Sequence, residues 1–198
     1  MDTLLIFVKE PIPGRVKTRL ARTVGDEEAA RIYRFLLEKT HQAAIKTSAD
    51  RRWLFYADER IDKEDDQFPG SFEKYVQCPG DLGQRMADAF QRAFSAGSER
   101  VVIIGSDCPE LTSEVLDEAF LALRKCDAVI GPTFDGGYYM LGTNRFIPEL
   151  FQGIAWSTPE VLDQTLAIFN KLHLKFGVFS TLYDIDTEED WRAYLGRC

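Results

Sequence analysis

Seven short apolar runs, separated by longer stretches of helical period, narrow the possible folds of this chain more than any other feature. The runs are Leu4–Val8, Trp53–Ala57, Tyr75–Val76, Val101–Gly105, Ala128–Gly131, Tyr138–Leu141 and Phe176–Phe179. Each has the length of a strand rather than a helix. Between them, Ala29, Ile32, Tyr33, Leu36, Leu37 and Ala44 keep one face of a helix. So do Met86, Ala89, Phe90, Ala93 and Phe94, then Leu116, Ala119, Phe120 and Leu123, then Val161, Leu162, Leu166 and Phe169. Strand followed by helix, repeated, predicts an α/β fold: a mostly parallel central sheet with helices on both faces, three layers in all. Asp135-Gly136-Gly137 between two runs reads as a tight turn, so one strand there is expected to run antiparallel to its neighbour. The segment Glu59–Gly70 reads as an exposed loop. No internal repeat or linker interrupts the pattern, and residues 1–198 are expected to form one domain.

Composition closes off several functions. At 198 residues, 45% hydrophobic and 28% charged, the chain is an ordinary globular one. Its net charge of −8 argues against duplex nucleic acid as a partner. Cys78, Cys108, Cys126 and Cys198 form no CxxC pair, and His41 and His173 are the only histidines, which argues against a zinc site or a disulfide framework. The run Leu4–Val8 is too short for a signal peptide or membrane span, so a cytoplasmic location is expected.

In sheets of this kind ligands bind beyond the carboxyl ends of the strands. The rule selects four loops: the one after the first strand, Pro79–Arg85, Gly105–Pro109 and Pro132–Gly137. The first is the most distinctive, because Lys9, Arg15, Lys17 and Arg19 lie on it in an otherwise acidic chain. Pro11 and Pro13 fix φ and Gly14 opens conformations closed to other residues, so the loop is shaped. A plain solvated surface would need no such shaping, and the reading favoured here is a phosphate receptor. It matches neither G-x-x-x-x-G-K-[ST] nor G-x-G-x-x-G, so side-chain charge would do most of the holding.

Three carboxylates are candidates for chemistry. Asp107 follows a buried run at the sheet edge, while Thr112 and Ser113 already offer caps for the next helix, so Asp107 reads as a Mg²⁺ or Mn²⁺ ligand. Asp186 lies in Tyr183-Asp184-Ile185-Asp186-Thr187-Glu188-Glu189-Asp190-Trp191, where both Asp186/Glu189 and Thr187/Asp190 have capping-box spacing, and ligand and cap are equally good readings. Asp135 is either a turn residue or a group that binds or deprotonates an acceptor hydroxyl, with Gly136, Gly137 and Tyr138 beside it. Ser157 with Glu160 reads as a helix start, and Trp156 before it as a candidate pocket floor. Cys108 reads as a packed side chain, since no histidine is placed to activate it.

With these residues in place, the chain resembles the GT-A type nucleotide-diphospho-sugar transferase superfamily. It is most similar to a bacterial glycosyltransferase-like branch, some of whose members are linked with arsenosugar biosynthesis. The resemblance rests on Lys9–Leu20, Gly80-Asp81-Leu82-Gly83-Gln84-Arg85-Met86, Gly105–Pro109, Asp135–Tyr139, Trp156–Glu160 and Asp184-Ile185-Asp186-Thr187. It implies that Asp107 and Asp186 hold the metal, that Arg15 and Lys17 lie by the phosphates, and that Gly80, Asp81 and Arg85 lie near base and ribose. One departure is that no Asp-x-Asp is present, Ser106-Asp107-Cys108-Pro109 supplying a single acid.

The expected activity is metal-dependent transfer from a nucleotide-diphospho-sugar to a small-molecule acceptor. The nucleotide would be bound by Lys9, Gly14, Arg15, Lys17, Arg19, Gly80, Asp81, Gly83 and Arg85. Asp107 and Asp135 would be the catalytic carboxylates, Asp135 as acceptor-binding residue or base, and Gly136, Gly137, Tyr138, Trp156 and Ser157 would receive the acceptor. Two other readings stand beside it. A nucleotidyltransferase would release pyrophosphate from a nucleoside triphosphate, which the cation-rich loop also suits; a non-catalytic nucleotide-binding protein would keep the pocket without turnover.

Overall fold

A computed structural model describes residues 1–57 and 68–197. Its strands are β1 (Asp2–Val8), β2 (Arg51–Tyr56), β3 (Glu73–Val76), β4 (Arg100–Ile104), β5 (Ala128–Pro132), β6 (Tyr138–Thr143) and β7 (Phe176–Val178). Its helices are α1 (Thr18–Val24), α2 (Asp26–Lys46), α3 (Leu82–Ser95), α4 (Ser113–Ala122), α5 (Val161–Lys171) and α6 (Glu188–Leu195), with a 3₁₀ turn at Pro148–Phe151. All seven predicted strands are present, and they form one sheet in the order β3-β2-β1-β4-β6-β5-β7. Every neighbouring pair is parallel except the two made by β6, which runs antiparallel to β4 and to β5. The tight turn expected at Asp135-Gly136-Gly137 is the β5–β6 connection, closed by Thr133 N–H to Gly137 O at 3.0 Å.

The period of two along each strand separates two cores. Leu4, Ile6 and Val8 of β1 join Leu54, Val102, Ile104 and Met140 on one face, beneath α1, α2, α4 and α6. Leu5 joins Phe55, Val101, Ile103 and Leu141 on the other, beneath α3 and α5. Apolar residues on both faces make the central strands read as unbroken hydrophobic runs, as strands covered on both sides must.

Two local expectations need correction, and a third is described only at its end. The second half of the basic segment is helical: α1 begins at Thr18 with Lys17 at its N-cap, and Leu20 is fully buried. Ser157 does not cap α5. It takes a left-handed conformation with φ 64°, and the Thr158 hydroxyl accepts from Glu160 N–H instead. The expected loop Glu59–Gly70 lies mostly outside the described residues. At its described end Phe68 is buried, packed edge-on against His41 and Phe72.

Candidate functional site

β1 is followed by β2 on one side, while β4 lies on its other side, so the direction of winding reverses between β1 and β4. At such a reversal the loops leaving the two strands diverge and leave a crevice. Here a cleft of about 650 Å³ opens at their carboxyl ends, floored by Phe7, Ile103 and Ile104 and walled by Lys17, Asp107 and Arg85. One buried phenol ties its two sides together. The Tyr33 hydroxyl, from α2, accepts from Lys9 N–H at 3.0 Å and lies 2.9 Å from Ser106 Oγ. Burial, with the nearby Asp107 charge, pushes this phenol up to about 12, so it stays protonated and keeps a proton to share with Ser106.

The charged centre of the cleft is an ion triad. Lys17 Nζ lies 2.6 Å from Asp107 Oδ1 and 2.9 Å from Asp186 Oδ1, and its side chain is only 5% exposed. Arg19 Nη1 reaches Asp186 Oδ2 at 3.4 Å. Burial alone would depress the Lys17 ammonium, but the two carboxylates outweigh it and raise its pKa. Burial pushes the Asp186 carboxyl upward, yet Lys17 and then Arg19 outweigh it and hold the group below the usual carboxylate range. The cap question at Asp186 is resolved by its neighbour: Thr187 is the N-cap of α6 and shares a capping box with Asp190, leaving the Asp186 carboxylate free for the triad.

The opposite wall is the start of α3. Asp81 caps it, accepting from Gln84 N–H at 2.8 Å while the Gln84 side chain accepts from Asp81 N–H at 2.9 Å. Arg85 folds back to donate to Gly80 O at 2.9 Å. Beyond the cleft, the β5–β6 turn is locked by Asp135 Oδ1, which accepts from Thr133 Oγ1 at 2.6 Å and from Gly137 N–H at 2.9 Å. Leu182 forms a parallel bridge to Thr133, and Ile185 N–H donates to Asp107 O at 3.0 Å. The segment Leu182–Ile185 is thereby strung between the β5–β6 turn and the loop carrying Asp107. Burial, then the Asp135 charge, pushes the Asp184 carboxyl up to about 6. Burial also holds the Cys108 thiol well above its ordinary value, which fits a packed side chain and not a nucleophile.

The structure brings Lys9, Lys17, Arg19, Gly80, Asp81, Arg85, Asp107, Tyr138, Ser157 and Asp186 to the cleft lining. The lining does not include Gly14, Arg15, Gly83, Asp135, Gly136, Gly137 or Trp156. Arg15 is exposed, and Gly14 turns at φ 78° toward Asp26. Gly83 is a packing residue: a Cβ there would lie 2.4 Å from Trp156 Nε1, so the indole packs against α3. Sequence reasoning missed Tyr33, taken only as a core position, and Asp184, whose carboxyl lies in the field of Asp135 and Asp186. It also missed the exposed pair Phe134 and Tyr183, stacked with centroids 4.0 Å apart and backed by the Arg197 guanidinium at 4.3 Å from the Tyr183 centroid. The parallel bridge that puts these two segments side by side has no sequence signature.

Among curated proteins none matches the chain. The solved structures similar to it include a protein from Desulfovibrio desulfuricans G20, provisionally named a nucleotide-diphospho-sugar transferase. It is 35% identical, covers 98% of this chain and 85% of its own, and superposes with a TM-score of 0.91. The 4-diphosphocytidyl-2C-methyl-D-erythritol synthase of Anaerococcus prevotii DSM 20548 shares the fold at 17% identity and a TM-score of 0.64, over 100% of this chain and 96% of that one. A CMP-2-keto-3-deoxy-manno-octonic acid synthetase solved with CTP does so at 10% identity and 0.61, over 99% and 98%. The central sheet with its single reversed strand is thus the fold of the nucleotide-diphospho-sugar transferases. A family model described as an uncharacterized protein conserved in bacteria (DUF2064) matches residues 40–158, more than half of the sequence, and this chain belongs to that family.

Proposed function

We propose that this protein is a transferase acting on a nucleotide-diphospho-sugar donor, with Mg²⁺ or Mn²⁺ held by Asp107 and Asp186. The observation that carries the reading is the convergence of those two carboxylates on one point, the Lys17 ammonium, at the edge of a cleft at the sheet's reversal. Their chemistry fits a hard cation, which takes one or two carboxylates and leaves its other positions to phosphate oxygens and water. Among the described residues no group of three or more His, Cys, Asp or Glu side chains is set to hold a metal, so substrate oxygens and water would complete the shell. The cation's contribution would be positive charge beside the departing diphosphate.

The chain's own residues supply the rest. Lys9, Lys17 and Arg19 would attract the phosphates, while the α3 wall, with Asp81 and Arg85, would receive the nucleoside. Asp135 and Asp184 lie outside the cleft lining, on adjoining segments tied to the Asp107 loop, and are the carboxylates we assign to orienting an acceptor hydroxyl or taking its proton. Half-burial and neighbouring charge hold the Asp184 carboxyl near 6, within the range useful to a general base. The D. desulfuricans protein's name agrees with this reading.

A second reading, nucleotidyl transfer with release of pyrophosphate, is favoured by the two cytidylyl-type neighbours. One assay separates the two. Incubation with labelled nucleotide sugars and nucleoside triphosphates in the presence of Mg²⁺ should release free nucleoside diphosphate. Pyrophosphate as the product would replace the glycosyl reading with the nucleotidyl one.

A further inference from the structure

Lys17 is an odd phosphate ligand. Its Nζ is already engaged by Asp107 at 2.6 Å and Asp186 at 2.9 Å, in a side chain that is 95% covered. Its backbone is held at φ 47°, a left-handed conformation unusual for a residue with a side chain, at the N-cap of α1. The same carboxylate oxygens are those a divalent cation would need. An ammonium among them neutralises one of their two charges and occupies the space between them. A second cation brought to that point meets like-charge repulsion at contact distance, where Coulomb terms are largest.

The lysine also has an alternative partner. Lys9 and Arg19 line the same cleft, so an entering polyphosphate is drawn toward Lys17. A four-carbon stem ending in a point charge can exchange carboxylate for phosphate without moving its backbone. Resting on the reading of Asp107 and Asp186 as cation ligands, we propose that the Lys17 ammonium is a resident counter-ion of the cation site. It fills the site until a polyphosphate draws it away, so that the divalent cation enters together with the phosphate ligand and binds poorly without it. By linkage, each of the two ligands then strengthens the other by the same factor.

The test uses Mn²⁺ alone, with no nucleotide, followed by the electron paramagnetic resonance of free Mn²⁺. Lys17→Met keeps the length of the stem and removes the charge. It should take up one Mn²⁺ per chain at least about tenfold more tightly than the parent, because a unit positive charge has left the site. The gain should vanish in Lys17→Met/Asp186→Asn. If parent and Lys17→Met take up Mn²⁺ equally well and Asp186→Asn abolishes it in both, the counter-ion role is overturned while the cation site stands. If Asp186→Asn changes nothing in any background, even with inorganic pyrophosphate present, both fall. Should Lys17→Met need the cation to fold, recovery of its melting transition with Mn²⁺ but not with Na⁺ at equal ionic strength reads the same gain. Lys17→Gln then serves as the second variant, and a folded Lys17→Gln with no more Mn²⁺ uptake than the parent overturns the proposal.

Discussion

Asp184 carries the clearest pH signature. Burial raises its carboxyl first, then the charges of Asp135 and Asp186, to about 6 against an ordinary 3.8. The native state therefore holds this proton more tightly than the unfolded chain between those two values. The stabilisation linked to it is complete below the unfolded value and is lost as pH rises through 6. Asp184→Asn, with no proton to lose, should melt above the parent at about pH 8, with the gap closing as pH falls through 6 toward about pH 4. Thermal melts across that range check it, and a gap that does not vary with pH sets the burial account aside. Little of this was legible beforehand. Asp184 stands in an acidic stretch with Asp186, Glu188, Glu189 and Asp190, and nothing in their order says which faces a second acid. Asp186 is a similar case: both capping registers fit the sequence, and only the choice of Thr187 as cap releases its carboxylate to the triad.

The β5–β6 turn is fixed by its surroundings as much as by its own sequence. A Cβ on Gly136 would lie 2.2 Å from Pro159 O and 2.7 Å from Pro159 Cα, both backbone atoms, and φ there is 89°. Leu162 N–H also donates to Gly136 O at 2.9 Å, binding the turn to the start of α5. Gly136→Ala should cost about 1–3 kcal/mol, from overpacking and from a backbone angle closed to alanine. Denaturant melts read this as a lower midpoint, and an unchanged midpoint contradicts the packing seen here. The strands were legible because each is a short buried run, and the hairpin because Asp-Gly-Gly permits almost nothing else there. α1 was not, for a physical reason: only Leu20 of its seven residues is buried, and one apolar position makes no period. The 3₁₀ turn at Pro148–Phe151 is too short to leave one either.

Over the whole molecule, the alternation of strand and helix was enough to predict the layers and the sheet edge at which the cleft opens, but not which side chains meet there. Lys17, Asp107 and Asp186 come from the loops after β1 and β4 and from the approach to α6, and 169 positions separate the first from the last. Contacts that long-range are fixed by the winding of the sheet, which leaves no local mark. The Tyr33 clamp is of the same kind, a core helix position whose hydroxyl turns out to span the crevice. That clamp gives the molecule a built-in reporter. The Lys9 amide follows the end of β1 on a loop, where amides ordinarily exchange their hydrogen for solvent deuterium quickly, yet it donates to a phenol that is itself almost wholly buried. Its exchange should therefore be slow, and should track the opening of α2 from the sheet instead of motion of the basic loop. Deuterium uptake at this one amide would then register how often α2 lifts away from the loop that carries the basic residues.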